Sequence, residues 1–126
     1  MLNLALIVGL WATTCIQSQN VNYAGFMIES YDVRENGSYD FKREWYADSM
    51  CNEQYGSENE SGVVSVGKKI DGIFVNGNTF EADFKTAMGV DLGAVKVDGN
   101  KLKVARGMRG STLRNSMVGV FDYVKK

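Results

Sequence analysis

The chain contains no histidine, no proline and only two cysteines among its 126 residues. Lack of histidine excludes Ser-His-Asp and Cys-His catalysis, histidine-ligated zinc and the usual proton shuttle at neutral pH. Lack of proline means that no turn has a preset φ, so glycine and asparagine must carry the turns, and 14 glycines are present to do so. Charge of neither sign is in large excess. A net charge of -1 and a pI of about 5.4 give no long-range attraction to nucleic acid or anionic lipid. Long apolar runs are also missing: LALIVGL, Leu4 to Leu10, falls far short of the roughly 20 residues that span a bilayer. No membrane span and no nucleic-acid partner are therefore expected.

With 44% apolar and 23% charged residues, the length suits one domain, 1–126, that buries roughly two-thirds of its unfolded surface. Two readings compete at the amino terminus. In one, residues 1–10 are the remnant of a secretion signal merging into the first strand. Against it, no Lys or Arg precedes the apolar run, and the best cleavage site, Ala12-Thr13-Thr14 before Cys15, is mediocre. In the other, LALIVGLW is a buried strand, with Gly9 and Trp11 where it enters the core.

Downstream, alternation dominates. FMIESYDVR, Phe26 to Arg34, is rich in β-formers, and Asn36-Gly37 is a hairpin signal. In SYDFKREWY the odd positions Tyr39, Phe41 and Trp45 are aromatic, while Asp40, Lys42 and Glu44 are charged, which predicts a strand with one wet face. Asp48 to Gly62 is polar throughout and reads as a long exposed connection. GVVSVGKK and IDGIFV read as short strands before the turn Asn76-Gly77-Asn78. TFEADFKTAM repeats the alternation with Phe80, Ala82 and Phe84 on one face. Gly89 to Gly93 reads as a turn, AVKV and KLKVA flank the hairpin signal Asp98-Gly99-Asn100, and VGVFDYV is the last strand. The sum is an all-β fold: about eight antiparallel strands in a small up-and-down, lipocalin-like barrel.

Cys15 and Cys51, both in polar surroundings, are expected to form a disulfide worth about 3 to 4 kcal/mol in the chain-entropy model. This points to a secreted or extracellular location, periplasmic if the source is bacterial. Two glycosylation sequons, Asn36-Gly37-Ser38 and Asn59-Glu60-Ser61, fall in segments read as turns and matter only in a eukaryotic source.

The residues Gly9, Trp11 and Cys15, followed by Tyr46, Asp48 and Cys51 in WYADSMC, resemble the Gly-x-Trp...Cys and Tyr-x-Asp-x-x-Cys pattern of a secreted β-domain family. It is the domain named for the adenomatosis polyposis coli down-regulated protein, and small bacterial secreted proteins share the pattern. The opening Gly-x-Trp is also similar to that of lipocalins. That resemblance implies that Gly9 and Trp11 close the barrel base and that an Arg from a late strand packs over the Trp; Arg114 takes this role, with Arg109 in reserve. The Wnt binding of the animal proteins belongs to tandem domains and is not carried over.

Other motifs are weak. Gly62-x4-Gly67-Lys68 nearly matches a phosphate-binding loop, but Lys69 stands where a magnesium-holding Ser or Thr is needed and a strand pattern follows. Ser65-Val66-Gly67-Lys68 has Ser-x-x-Lys spacing without the helix that chemistry requires. Acidic pairs such as Asp40 with Glu44 or Glu58 with Glu60 read as solvated charges, and no complete calcium loop occurs. No enzyme activity, cofactor or metal is expected.

Charge is unevenly placed. Residues 29 to 60 carry nine acids and three bases, whereas only bases lie between Asp98 and Asp122. The aromatic set Tyr39, Phe41, Trp45, Phe80 and Phe84 either lines a cavity or fills the core, with Arg106 and Arg109 near an entrance. Two functions follow. One is a carrier of a small apolar or anionic amphiphilic ligand, with those seven residues as its site; the other is a protein-protein interaction module using a basic loop or an edge strand.

Overall fold

The computed structural model describes residues 3–17, 25–71, 79–107 and 117–126, and the side chains of 117–120 are not part of that description. Alternating side chains decide the strands, because a period of two puts one set of residues in a barrel and the other outside. After one turn of 3-10 helix, Leu4–Ile7, come β1 (Gly9–Ala12), β2 (Ile16–Gln17), β3 (Phe26–Val33), β4 (Ser38–Tyr46) and β5 (Gln54–Lys69). They are followed by β6 (Thr79–Thr86), β7 (Gly89–Asp98), β8 (Lys101–Gly107) and β9 (Met117–Lys125).

From β3 to β9 each strand pairs antiparallel with the next, and β1 pairs with both β3 and β9. These pairings close an eight-stranded barrel, and the short β2 is an additional strand on β3. The expected up-and-down barrel is the observed architecture.

Several local expectations are corrected. Leu4–Ile7 is helical, not strand; only Ile7 of this turn is buried, so it caps the barrel without joining the sheet. Residues 54–62, read as an exposed connection, are the first half of β5 and pair with β4 from Gln54 to Val63. They are polar on both faces, so hydrophobic alternation gives no sign of the strand. Gly89 to Gly93, read as a turn, belongs to β7. The turn Asn76-Gly77-Asn78 and residues 72–75 of the IDGIFV segment lie outside the described residues.

The registers give the barrel two unlike ends. At one lie the β3–β4 and β7–β8 turns and the 3-10 helix; at the other, called the mouth here, lie the 47–53 loop, the β6–β7 turn and the β1–β2 junction. Ile7, Trp11, Val33, Tyr39, Val64, Phe84, Val95, Leu102 and Val104 belong to one buried cluster that fills the closed end. Burying side chains of this size is worth about 1.5–3 kcal/mol each, the main favourable term in the fold.

Candidate functional site

Gly9 and Trp11 stand on β1, where Gly9 pairs with Val33 at the end of β3 next to the β3–β4 turn and Trp11 pairs with Tyr31. Gly9 has φ +134°, a conformation that side chains rarely adopt, and an added Cβ would stand 2.9 Å from Lys125 Cε. Two residues on, the buried Trp11 donates its indole N–H to the Ile7 carbonyl at 2.9 Å, which fastens the 3-10 turn over the barrel. Among the described residues, Lys125 of β9 stands over its ring, with Nζ 5.6 Å from the centroid. Arg114 and Arg109, to which that role was assigned from sequence, lie outside the described residues.

At the mouth, Cys15 and Cys51 are bonded, with Cα atoms 5.9 Å apart. The bridge ties the β1–β2 junction to the 47–53 loop. Inside that loop the Asp48 carboxylate accepts backbone N–H bonds from Asn52 at 2.9 Å and Glu53 at 2.8 Å. Those bonds, Glu53's first, hold the Asp48 carboxyl below the usual carboxylate range.

Between the two ends the barrel carries charge on its inner face. Register places Glu29, Arg43 and Glu58 side by side on β3, β4 and β5. Arg43 Nε donates to Glu29 Oε2 at 2.6 Å, and Arg43 Nη1 donates to Glu58 Oε1 at 2.5 Å. The other Glu29 oxygen accepts the Tyr123 hydroxyl at 2.7 Å. Glu29 is 1% exposed, so these bonds replace the water it has lost.

A second group surrounds Arg106 on β8. Its guanidinium donates to Glu60 Oε2 at 2.8 Å, to Asp91 Oδ2 at 2.6 Å and to the Tyr31 hydroxyl at 3.2 Å, while the Tyr39 hydroxyl donates to Glu60 Oε2 at 2.9 Å. Burial is the largest single effect and acts to lower the pKa of Arg106, but Tyr31, Glu60 and Tyr39 act against it and the net shift is upward. For Arg43 burial is the largest single effect and works downward, but the charges and hydrogen bonds of Glu29 and Glu58 together outweigh it. Burial pushes the Tyr31 hydroxyl up to about 12 against the opposing pull of Arg106, and burial also raises Tyr39 and Tyr123.

The five aromatic residues chosen from alternation, Tyr39, Phe41, Trp45, Phe80 and Phe84, are all buried. Phe84 packs against Tyr31 and Tyr39 with ring centroids 5.9 and 5.7 Å apart, and Tyr31 lies 4.8 Å from Phe41. Arginine stacks on the same rings: Arg43 stands 5.2 Å from the Phe41 centroid and Arg106 stands 4.7 Å from that of Phe84. Arg106, expected near an entrance, is turned inward and held by its two carboxylates. A cavity of about 10 Å³ remains among Ile7, Val33, Val64, Val95, Leu102 and their neighbours. That is the room of one water at most.

Sequence reasoning missed Glu29, Arg43, Glu60 and Asp91 as buried or half-buried groups; Glu58, read as a solvated charge, is exposed and pairs with Arg43. One signal was available. Arg43 stands at an odd position of β4, in phase with Tyr39, Phe41 and Trp45, and Glu29 is in phase with Met27, Tyr31 and Val33 on β3.

No family model matches this chain, and neither the curated proteins nor the solved structures contain a match to it. Among the described residues no helix is long and apolar enough to cross a membrane.

Proposed function

We propose that the protein is a non-enzymatic binding domain of an oxidising, extracellular or envelope compartment, and that it engages a protein partner through the outside of its barrel. The observation that carries this reading is the tight packing of the closed end among the described residues. Rings 4.8 to 5.9 Å apart and a cavity of about 10 Å³ leave no room for an organic molecule in the closed half. The half-buried disulfide supports the compartment, since such bonds persist where thiols are not kept reduced. Secretion by a family resembling the down-regulated-protein domain is part of the same proposal.

A second reading, capture of a small charged amphiphile at the mouth, draws on Arg43 and Arg106 beside the Phe41, Trp45 and Phe84 rings. A ligand headgroup there must compete with Glu29, Glu58, Glu60 and Asp91 for the two guanidinium groups. Non-denaturing mass spectrometry of protein from an oxidising host separates the two. A chain of bare mass is expected; a small molecule lost only on denaturation overturns the outside-surface reading in favour of the mouth.

A further inference from the structure

β5 is unequally used. Its residues from Gln54 to Val63 pair with β4, but β6 joins only from Val63 onward. Among the described residues, no strand pairs with the other side of β5 before Val63, which makes that side an edge. Hydrogen-bond parity follows from one contact: Val64 N–H donates to the Gly37 carbonyl at 2.8 Å, so even-numbered β5 residues direct their backbone polar groups toward β4. Ser57, Asn59 and Ser61 therefore direct theirs away from β4, toward the open side.

That segment reads the same in both directions. Gly56-Ser57-Glu58-Asn59-Glu60-Ser61-Gly62 is a palindrome centred on Asn59. In an antiparallel pair about a two-fold axis, a residue at a given distance before the centre faces the residue at the same distance after it. Two copies of this strand would thus set Asn59 against Asn59 and Ser57 against Ser61. All three side chains are exposed. The same axis sets Glu58 against Glu60 of the second copy, a like-charge pair that weakens the contact and is offset in part because Glu58 is bound to Arg43 and Glu60 to Arg106. Just outside the palindrome stand Tyr55 and Val63, each 51% exposed, which the same axis brings near each other as an aromatic with a β-branched residue. Natural edges are usually blunted by Lys or Pro, and residues 54–62 contain neither.

We propose that the Ser57–Ser61 edge of β5 pairs antiparallel with the same edge of a second copy of this chain, with its two-fold axis at Asn59. The inference rests on the outside-surface reading above and names one partner for it. Its contact is a short ladder, so the association is weak and concentration-dependent. The sequon at Asn59 lies on this axis, and a glycan there excludes the pairing.

Sedimentation velocity on the oxidised full chain, made in a host that does not glycosylate, is the first test. Wild type is expected to shift from monomer to dimer as concentration rises. Asn59→Asp sets two carboxylates face to face across the axis and is expected to weaken the dimer at least tenfold, with unchanged far-ultraviolet dichroism. Register is tested with Asn59→Cys, whose thiols lie on Cα atoms about 5.5 Å apart in the pair and are expected to join through a short thiol cross-linker. Ser57→Cys alone is expected not to join, since its two copies stand about 13 Å apart along the strands. A wild type monomeric at every concentration, or equal linkage of the two Cys variants, overturns the self-pairing. If that monomer has bare mass, the outside-surface reading survives; if it carries a small molecule, both fall.

Discussion

Tyr123 on the last strand donates its hydroxyl hydrogen to Glu29 on β3, 94 residues earlier in the chain, at 2.7 Å. The bond joins two strands that both pair with β1 but not with each other, across the place where the barrel closes. Glu29 also holds Arg43, so one buried carboxylate serves the closure and the charged row together. Replacing it is expected to be costly.

Glu29→Gln keeps the shape and removes the charge, leaving Arg43 with Glu58 as its remaining acid. Breaking a fully buried pair costs about 3–5 kcal/mol, but Arg43 is 28% exposed and keeps one partner, so a loss of about 2–3 kcal/mol is expected. Tyr123→Phe removes a single bond to a charged group and is expected to cost about 1.5–3 kcal/mol. Urea unfolding of both variants measures this; a loss under about 0.5 kcal/mol for Glu29→Gln would show that the carboxylate contributes nothing to closure.

Alkaline pH acts on the tyrosines. Burial raises the pKa of Tyr31 to about 12 from an ordinary value of 10.0, and raises Tyr39 and Tyr123 as well. The neutral ring is the form the fold favours. Its contribution is fully present below pH 10 and is lost as pH rises through about 12. Of the six tyrosines, these three are expected to stay silent in a tyrosinate absorbance titration near pH 10 and to ionise only with unfolding. Full ionisation near pH 10 with the fold intact would contradict their burial.

The disulfide closes 36 residues between the β1–β2 junction and the 47–53 loop. Reduction, or the paired change of Cys15 and Cys51 to Ser, is expected to lower stability by about 3–4 kcal/mol in the chain-entropy model. Asp48 holds the same loop by backbone bonds, so part of its shape remains without the bridge. A thermal melt of the reduced chain indistinguishable from the oxidised one would remove the bridge from the stability of the barrel.

The strands were legible where one face is apolar. Ser38–Tyr46 begins and ends where alternation puts it, because Tyr39, Phe41 and Trp45 alternate with residues on the wet side. Residues 54–62 were not legible, since Glu58 and Glu60 are in phase with the interior while Ser57 and Asn59 are in phase with solvent, and both sets are polar. The charged groups inside the barrel were visible only as Glu29 and Arg43 standing at inward-facing positions of β3 and β4. A charge at an inward position does not reveal its partner when that partner, Tyr123 or Arg106, lies on a strand far along the chain. For the same reason the aromatic set was found correctly as inward-facing, while the choice between pocket lining and solid core depended on packing across the barrel.

Phe84 tests that choice directly. Its ring touches those of Tyr31 and Tyr39, supports the Arg106 guanidinium at 4.7 Å and borders the cavity of about 10 Å³. Phe84→Ala removes most of a buried ring from a site whose walls are strands, which collapse little, so a loss of about 3–5 kcal/mol is expected. The enlarged apolar space is expected to bind a small aromatic probe that wild type excludes, as apolar cavities of this origin stay dry and accept such guests. Urea unfolding gives the first quantity and calorimetric titration with benzene the second. Tight binding of the probe by wild type would mean that the interior opens on its own, and the carrier function would then regain its site in the closed half of the barrel.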